Sequence, residues 1–283
     1  MTYDGILFTK YVIGPGGLKM TRAYPMQTLE GETHDHPHHR SIWFGHQGTD
    51  GFDSWHERQT MVERSKKRGE EDLRNRLASL ASTVHRRFIS VKAARDSATI
   101  ISENDYVGSD GRKLLSDLRT IVFRAGKSAR TIDFDIKLIA SYGDSTLTDK
   151  KDAGFSLRIP TSMDVDRDKG GTILNSNGLK DKAAWGKRAA WVAYSGPVKG
   201  ETMSIIMLNH PASFRHPTPW HVRTYGLLTA NPFGLKSLDK SAKDGSILLR
   251  KGESLTLRHR VILRKGRARA STIEADFAAY SSE

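Results

Sequence analysis

Strict alternation of apolar and polar residues is the feature that most constrains the fold of this chain. From Thr131 to Leu138, apolar side chains occupy the even positions and polar side chains the odd positions. A period of two is typical of a half-buried β-strand, because successive side chains of a strand point to opposite faces. The pattern returns at residues 155–159 and 255–263. The alternation therefore predicts a β protein.

Turn-forming residues separate the other candidate strands. Asn177-Gly178 and Lys251-Gly252 are two of these turn signals. Many short strands with frequent turns favour an antiparallel sandwich or a barrel. The further strands are predicted at residues 5–12, 97–107, 113–124, 171–176, 190–195, 202–209, 220–229 and 246–250.

Two segments depart from the strand pattern. Residues 57–80 are strongly charged and poor in β-branched side chains, so they are either a short surface helix or a long loop. Ser271 and Glu274 have the spacing of a capping box, which predicts a short C-terminal helix over residues 272–280. We find no internal repeat and no low-complexity linker. The sequence thus predicts a single β-sandwich domain spanning residues 1–283.

Composition excludes several classes of function. The chain of 283 residues contains no cysteine, which excludes disulfides and cysteine-ligated zinc. Residues 1–20 contain no apolar signal-peptide core, and no apolar run is long enough to span a bilayer. We therefore expect no membrane association and a cytoplasmic protein, or a periplasmic one if a signal has been removed. The net charge of +13 is scattered along the chain, so nucleic-acid binding is only a weak alternative.

Histidines are concentrated in one stretch of the chain. Six of the eleven lie between positions 34 and 56. Imidazole titrates near neutrality and serves both acid/base chemistry and metal ligation. We expect His36 and His39 to form the acid/base pair, with Asp35 orienting a neighbouring imidazole. A metal-dependent version remains open, in which His34, His36, His38 and His39 supply two or three ligands to one divalent ion and carboxylates from elsewhere complete the site.

A second polar and aromatic stretch occupies residues 208–234. Along an extended strand from Trp220, the side chains of His221, Arg223 and Tyr225 would share one face. An aromatic plate beside polar groups suits a sugar ring, which has apolar faces and hydroxyl edges. The opposite interpretation is that these aromatic residues belong to the core. The substrate-binding residues predicted from both stretches are Arg40, His38, His46, Trp55, His210, Trp220, His221, Arg223 and Asn231.

These stretches carry a family resemblance. The chain reads DHPHHRSIWFGH at residues 35–46, GFDSW at 51–55, WHVRTYG at 220–226 and NPF at 231–233. It resembles the PmoA-like family of unknown function, with Ser41 where that family usually has glycine. The resemblance implies a bacterial protein whose relatives often occur with sugar catabolism. A methane oxygenase, which the family's name implies, is excluded because its membrane subunit needs transmembrane helices.

The β pattern at this length also resembles the galactose mutarotase-like fold. That resemblance implies an antiparallel β-supersandwich that binds sugars in a cleft lined by histidine, arginine, asparagine and tryptophan. Three functions follow as hypotheses. The first is a carbohydrate-active enzyme, namely an epimerase, lyase or hydrolase, and the second is its metal-dependent form. The third is a non-catalytic carbohydrate-binding protein. In each case the partner is a small sugar or sugar derivative, and the oligomeric state stays open.

Overall fold

A large antiparallel sheet organises the protein. The computed structural model describes residues 11–126 and 128–283. Eight strands form this sheet in the order β2-β3-β4-β5-β13-β10-β9-β8, and every neighbouring pair is antiparallel. The strands of this sheet are β2 (Ala81–Ala93), β3 (Ser97–Gly108), β4 (Lys113–Ala125), β5 (Ala129–Ile139), β8 (Thr172–Asn175), β9 (Trp191–Val198), β10 (Glu201–Asn209) and β13 (Ser254–Lys265).

A small sheet packs against the large one. Its three strands are β1 (Ile42–His46), β7 (Ala153–Arg158) and β11 (Leu227–Ala230), in the order β1-β7-β11. A third sheet pairs β6 (Ser145–Leu147) with β12 (Ile247–Leu249). The strand predicted at residues 5–12 lies mostly outside the described residues. Strand β2 was not among the predicted strands, although it forms one edge of the large sheet.

Alternation along the strands builds the core. Ile42 and Phe44 of β1 are buried in one apolar cluster with Phe155 and Leu157 of β7. The large sheet contributes Phe134 and its alternate neighbours to the same cluster. Two antiparallel sheets therefore enclose the main core, and the predicted antiparallel β-sandwich is confirmed.

The charged segment at residues 57–80 and the C-terminus are helical. Residues 57–80 contain two helices, α1 (Arg58–Ser65) and α2 (Glu70–Ala78), so the helical alternative was right. A short helix, α3 (Leu235–Leu238), follows β11, and three 3₁₀ turns lie at Pro15–Gly17, Thr161–Met163 and Asp181–Ala184. In the described part of the chain, no helix is long and apolar enough to cross a membrane.

The C-terminal helix α4 (Ala270–Ser281) confirms the predicted helix, but its start differs from the prediction. Arg269 is the N-cap residue, and no side chain caps the helix. Glu274 instead accepts a hydrogen bond of 2.9 Å from the indole Nε1 of Trp191 on β9. The predicted capping box was wrong because the tertiary contact with the sheet takes the glutamate.

Candidate functional site

The histidine stretch lies on the outer face of the small sheet. Because strand side chains alternate, Trp43 of β1 and Arg158 of β7 point away from the main core. The backbone N–H of Arg158 donates to the carbonyl of Ser41 at 2.9 Å, which ties the stretch to β7. His36 and Ser41 have φ angles of 46° and 56°. This left-handed conformation is uncommon for residues other than glycine and concentrates at functional sites.

Four rings form a continuous stack from the surface into this face. Tyr225 stacks on His36 with ring centroids 5.2 Å apart. His36 stacks in turn on His39 at 4.8 Å, and His39 on Trp43 at 5.1 Å. Arg223 is exposed, with its guanidinium 5.5 Å from the Tyr225 ring. The two polar stretches therefore meet at the outer end of the stack, where Tyr225 and Arg223 join His36.

Asp35 and His36 form a hydrogen-bonded pair. The His36 Nδ1 lies 2.5 Å from Asp35 Oδ2. Asp35 also accepts hydrogen bonds from Arg22 at 2.6 Å and from Arg158 at 2.9 and 3.0 Å. Burial alone would raise the pKa of Asp35, but the His36 hydrogen bond and the charges of Arg158 and Arg22 hold it well below its usual value. The ionised carboxylate thus holds the Nδ1 proton of His36 and leaves Nε2 for proton transfer.

His39 lies beneath this pair and is only 2% exposed. Its Nδ1 is 3.2 Å from Nη1 of Arg158. An arginine can only donate, so Nδ1 accepts and the ring proton is on Nε2. Burial, then the charges of His38 and Arg158, lower the pKa of His39 well below its usual value. The prediction of His39 as an acid/base residue needs correction, because this imidazole is buried, neutral and packed between two other rings.

A second Asp–His pair lies on the other side of His38. The His56 Nδ1 is 2.7 Å from Asp53 Oδ2, and both residues are buried. His38 stands between the two pairs, with its ring 4.6 Å from His56 and 5.7 Å from His36. Burial, followed by the charges of His56 and His36, lowers the pKa of His38 to about 2. The neutral His38 ring shares a hydrogen bond of 2.9 Å with Thr60 of α1.

A cavity of about 450 Å³ opens beside the second pair. Trp43 and Trp55 contribute indole surface to its wall. Arg40 and Glu57 form an ion pair in the lining, with contacts of 2.5 and 2.6 Å. Three of the predicted substrate-binding residues, His38, Arg40 and Trp55, line the cavity. Its remaining lining residues are Phe44, Ser54, His56, Arg58, Leu80 and the start of β2 at residues 81–84.

The other predicted binding residues have structural contacts. Trp220 is fully buried, and its Nε1 donates to the carbonyl of Ala189 at 2.9 Å. Residues 220–226 do not continue a strand but turn back, with bridges from Trp220 to Ala230 and from Arg223 to Leu227. The prediction of Trp220 as a sugar-stacking plate is therefore corrected, since no indole face is open.

Four further residues are also held by the protein itself. Asn231 donates to the carbonyls of Lys150 and Lys151 at 2.9 Å and accepts from two backbone N–H groups. His221 Nδ1 is 2.8 Å from the Lys151 carbonyl, and burial lowers the His221 pKa to about 4. His46 is buried, with Nδ1 accepting from the Gly48 N–H at 3.0 Å. His210 lies under α4, 4.9 Å from the Tyr280 ring. The contacts of these four side chains are therefore structural, in place of the substrate binding predicted for them.

The metal hypothesis finds no support in the geometry. In residues 11–126 and 128–283, no three histidine, aspartate or glutamate side chains form a group that could hold a metal ion. His34 is exposed and stacks on Tyr24 at 4.8 Å. The Nδ1 atoms of His36, His38 and His39 are engaged by Asp35, Thr60 and Arg158 respectively. The predicted ligand set is therefore not assembled around one point in the described residues.

Several residues of the site were absent from the predicted set. Asp53, His56 and Glu57 follow the histidine stretch directly, and the spacing Asp53-x-x-His56 beside Asp35-His36 could have indicated a second pair. Arg22 and Arg158 carried no such signal. Arg158 meets Asp35 across 123 residues of sequence, a contact that only the fold creates.

Comparison with known proteins identifies a family. One family profile matches residues 1–278. The chain belongs to the family of unknown function DUF6807. The predicted membership of a family of unknown function is therefore confirmed, but the matching family does not carry the PmoA name. No curated protein matches the chain.

Solved structures similar to this DUF6807 chain share little sequence with it. A galactose mutarotase related enzyme from Lactobacillus acidophilus is 10% identical, with 64% of this chain and 72% of that chain covered and a TM-score of 0.31. A galactose mutarotase-like protein from Lactobacillus casei is 9% identical, with coverages of 62% and 72% and a TM-score of 0.33. The GH36 alpha-galactosidase AgaA from Geobacillus stearothermophilus is 13% identical, with a TM-score of 0.32 and 66% of this chain covered. The chain spans 27% of that galactosidase.

Proposed function

We propose that this DUF6807 protein is a carbohydrate-active enzyme of the epimerase, lyase or hydrolase class. One observation carries the proposal: a cavity of about 450 Å³ joins indole surface and an Arg–Glu ion pair to His56, which Asp53 holds in place, and the Asp35–His36 pair lies on the other side of His38. A cavity of this size suits a small ligand. Indole rings suit the apolar faces of a sugar, and charged hydrogen-bonding groups suit its hydroxyls.

His36 supplies acid/base chemistry in this proposal. Its side chain is 39% exposed, so protons can exchange there, whereas His39 is buried. Asp35 keeps the Nδ1 proton in place, which leaves Nε2 to accept or donate a proton. Arg223, exposed at the outer end of the ring stack, is available for the polar edge or an anionic group of the substrate. A general acid/base of this kind contributes roughly 10²- to 10⁴-fold to a rate.

The alternative is a carbohydrate-binding protein without catalysis. The aromatic cavity wall suits either function, but the Asp35–His36 pair favours the enzyme. A binding protein needs no histidine that is both oriented by a carboxylate and open to solvent. The distinction requires an assay of turnover in addition to one of binding.

A thermal-shift screen of neutral sugars, oxidised sugars and uronic acids tests the proposal. A ligand that binds the folded state alone raises the melting temperature, and the shift grows with ligand concentration and affinity. Each hit is then incubated with the protein, and products are followed by NMR. We expect His36→Gln to bind the hit while losing roughly 10²- to 10⁴-fold in turnover. His34→Gln, an exposed histidine nearby, is the matched control and should behave as wild type. Binding without turnover in the wild type would support the non-catalytic alternative.

A further inference from the structure

The segment that carries the second Asp–His pair is fixed between the two sheets. The Asp53 N–H donates to the Ser79 carbonyl at 2.7 Å, and the Ala81 N–H donates to the Asp53 carbonyl at 2.8 Å. Ser54 N–H donates to the carbonyl of His46 on β1 at 3.0 Å. The segment therefore bridges β1 and the start of β2. Rigid elements on both sides hold its side chains in a defined position.

The two carboxylate oxygens of Asp53 form hydrogen bonds with different groups. Oδ1 accepts the backbone N–H groups of Trp55 and His56 at 2.9 and 3.0 Å, which closes a tight turn. Oδ2 is then directed at Nδ1 of His56 at 2.7 Å. The turn thus sets the imidazole orientation, and the carboxylate holds its Nδ1 proton. Nε2 is the nitrogen left with a lone pair, the arrangement found in hydrolytic triads.

Among the histidines that line the cavity, His56 alone is bonded to a carboxylate. His38 also lines it, but its Nδ1 partner is the neutral hydroxyl of Thr60. An imidazole that takes up a proton in a buried site needs a counter-charge, because burial disfavours the charged form. Asp53 supplies that counter-charge to His56, whereas no carboxylate of residues 11–126 or 128–283 is bonded to His38. Among the described residues, the cavity therefore contains one histidine with a carboxylate bonded to its ring.

We infer that His56, oriented by Asp53, is a catalytic base of the cavity and acts on an acidic C–H or O–H group of a bound sugar derivative. In this step the substrate C–H or O–H bond breaks and an N–H bond forms at Nε2 of His56. The electron pair stays on the substrate, and Asp53 remains ionised and stabilises the imidazolium. This inference rests on the proposed function, since it needs a sugar derivative in the cavity. It adds a second proton-transfer group to His36 on the other side of His38.

Carbethoxylation with diethyl pyrocarbonate, mapped by mass spectrometry, tests without any substrate whether the Nε2 lone pair of His56 can be reached from the cavity. The reagent modifies neutral imidazole nitrogens that it can reach. We expect fast modification at the exposed His34, slower modification at His56, whose side chain is 1% exposed but lines the cavity, and none at His259, which is fully buried in the core. Failure to modify His56 while His34 reacts would overturn the inference and leave sugar binding unaffected.

Turnover of a substrate from the sugar screen tests the role itself. We expect His56→Gln to lower kcat roughly 10²- to 10⁴-fold with little change in KM. Asp53→Asn, which keeps the side-chain shape, should lower kcat and alter the dependence of kcat on pH. Melting temperatures identify variants that fail to fold, and His34→Gln is again the control. Full kcat in folded His56→Gln, together with loss in His36→Gln, overturns this inference alone. Absence of any sugar ligand overturns the proposed function and the inference with it.

Discussion

Asp35 is the residue whose replacement we expect to be most informative about the site. Arg22 and Arg158 have side chains that are 0% and 1% exposed, and both donate to its carboxylate. In the described part of the chain, Asp35 is the one carboxylate that forms an ion pair with either arginine. Asp35→Asn keeps the shape but removes the charge, so two buried guanidinium groups lose their shared partner.

The expected cost follows from burial. Removing one partner of a buried ion pair costs about 3–5 kcal/mol. The Asp35 side chain is 37% exposed, so solvent screens part of this interaction. We therefore expect Asp35→Asn to lower the free energy of unfolding by about 1–3 kcal/mol near pH 7. The acidic Glu32 also acts on Arg22 and raises its pKa, which limits the loss.

The dependence on pH gives a second check. The pKa of Asp35 is lower in the folded protein than in the unfolded chain, so its charge stabilises the fold above the unfolded value of about 4. That contribution is lost as the pH falls below this value. The deficit of Asp35→Asn should therefore be largest at pH 7, persist at pH 5 and shrink toward pH 3.

Urea unfolding of wild type and Asp35→Asn at these three pH values measures the effect. Glu70→Gln is the control, because Glu70 lies 3.8 Å from Arg74 with its side chain 94% exposed. That variant should unfold with wild-type free energy. An Asp35→Asn deficit that is equal at pH 7 and pH 3, or no deficit at all, would refute the electrostatic account of this cluster.

Three shorter predictions concern neighbouring parts of the molecule. Long-range ¹⁵N–¹H NMR should show His39 neutral, protonated at Nε2 and without a titration midpoint between pH 5 and 8; a proton on Nδ1 would contradict the Arg158 contact. Trp220→Ala should cost about 3–5 kcal/mol of stability, measured by urea unfolding, as expected for a core tryptophan. Wild-type stability with weakened sugar binding would instead restore its role as a stacking plate. EDTA should leave the melting temperature unchanged, and a clear decrease would indicate a bound metal that the described residues do not suggest.

The strands could be predicted because their signal is local. Residues 131–138 alternate in sequence, and β5 extends over Ala129–Ile139 with Phe134 and Ile136 in the core. The segment at residues 220–226 could not be predicted in this way, because its sequence pattern does not distinguish between two structures. Its mixture of polar and aromatic residues suits an exposed binding strand or a buried turn equally well. Packing of Trp220 against distant residues decides between the two, and no local pattern reports that packing.

The histidine cluster could likewise be predicted only in part. The sequence identifies the residues that carry the chemistry, since His36, His38 and His39 do lie together. It does not reveal their exposure. His39 is covered because β1 places Trp43 on the outer face and β7 places Arg158 beside it, whereas His36 adopts a left-handed backbone at the surface. Adjacent histidines therefore receive different surroundings from the fold, in which Arg158 of β7 reaches His39 across 119 residues of sequence.

Gly45 connects the sequence motif to the position of the proposed base. A Cβ atom added at Gly45 would lie 2.8 Å from the carbonyl oxygen of Ser54 and 3.1 Å from Cα of Trp55. Both contacts are with backbone, which cannot move aside as a flexible side chain can. A glycine in β1 thus permits the close approach of the segment that carries Asp53 and His56.

Gly45→Ala should therefore displace this segment from β1. We expect a loss of about 1–3 kcal/mol in the free energy of unfolding, the usual cost of overpacking. We also expect a changed rate of His56 carbethoxylation, because the turn that orients the imidazole must shift. Gly143→Ala is the matched control, since an added Cβ there meets nothing within 4 Å. If Gly45→Ala matches wild type in both stability and His56 reactivity, the position of the Asp53–His56 pair does not depend on its packing against β1.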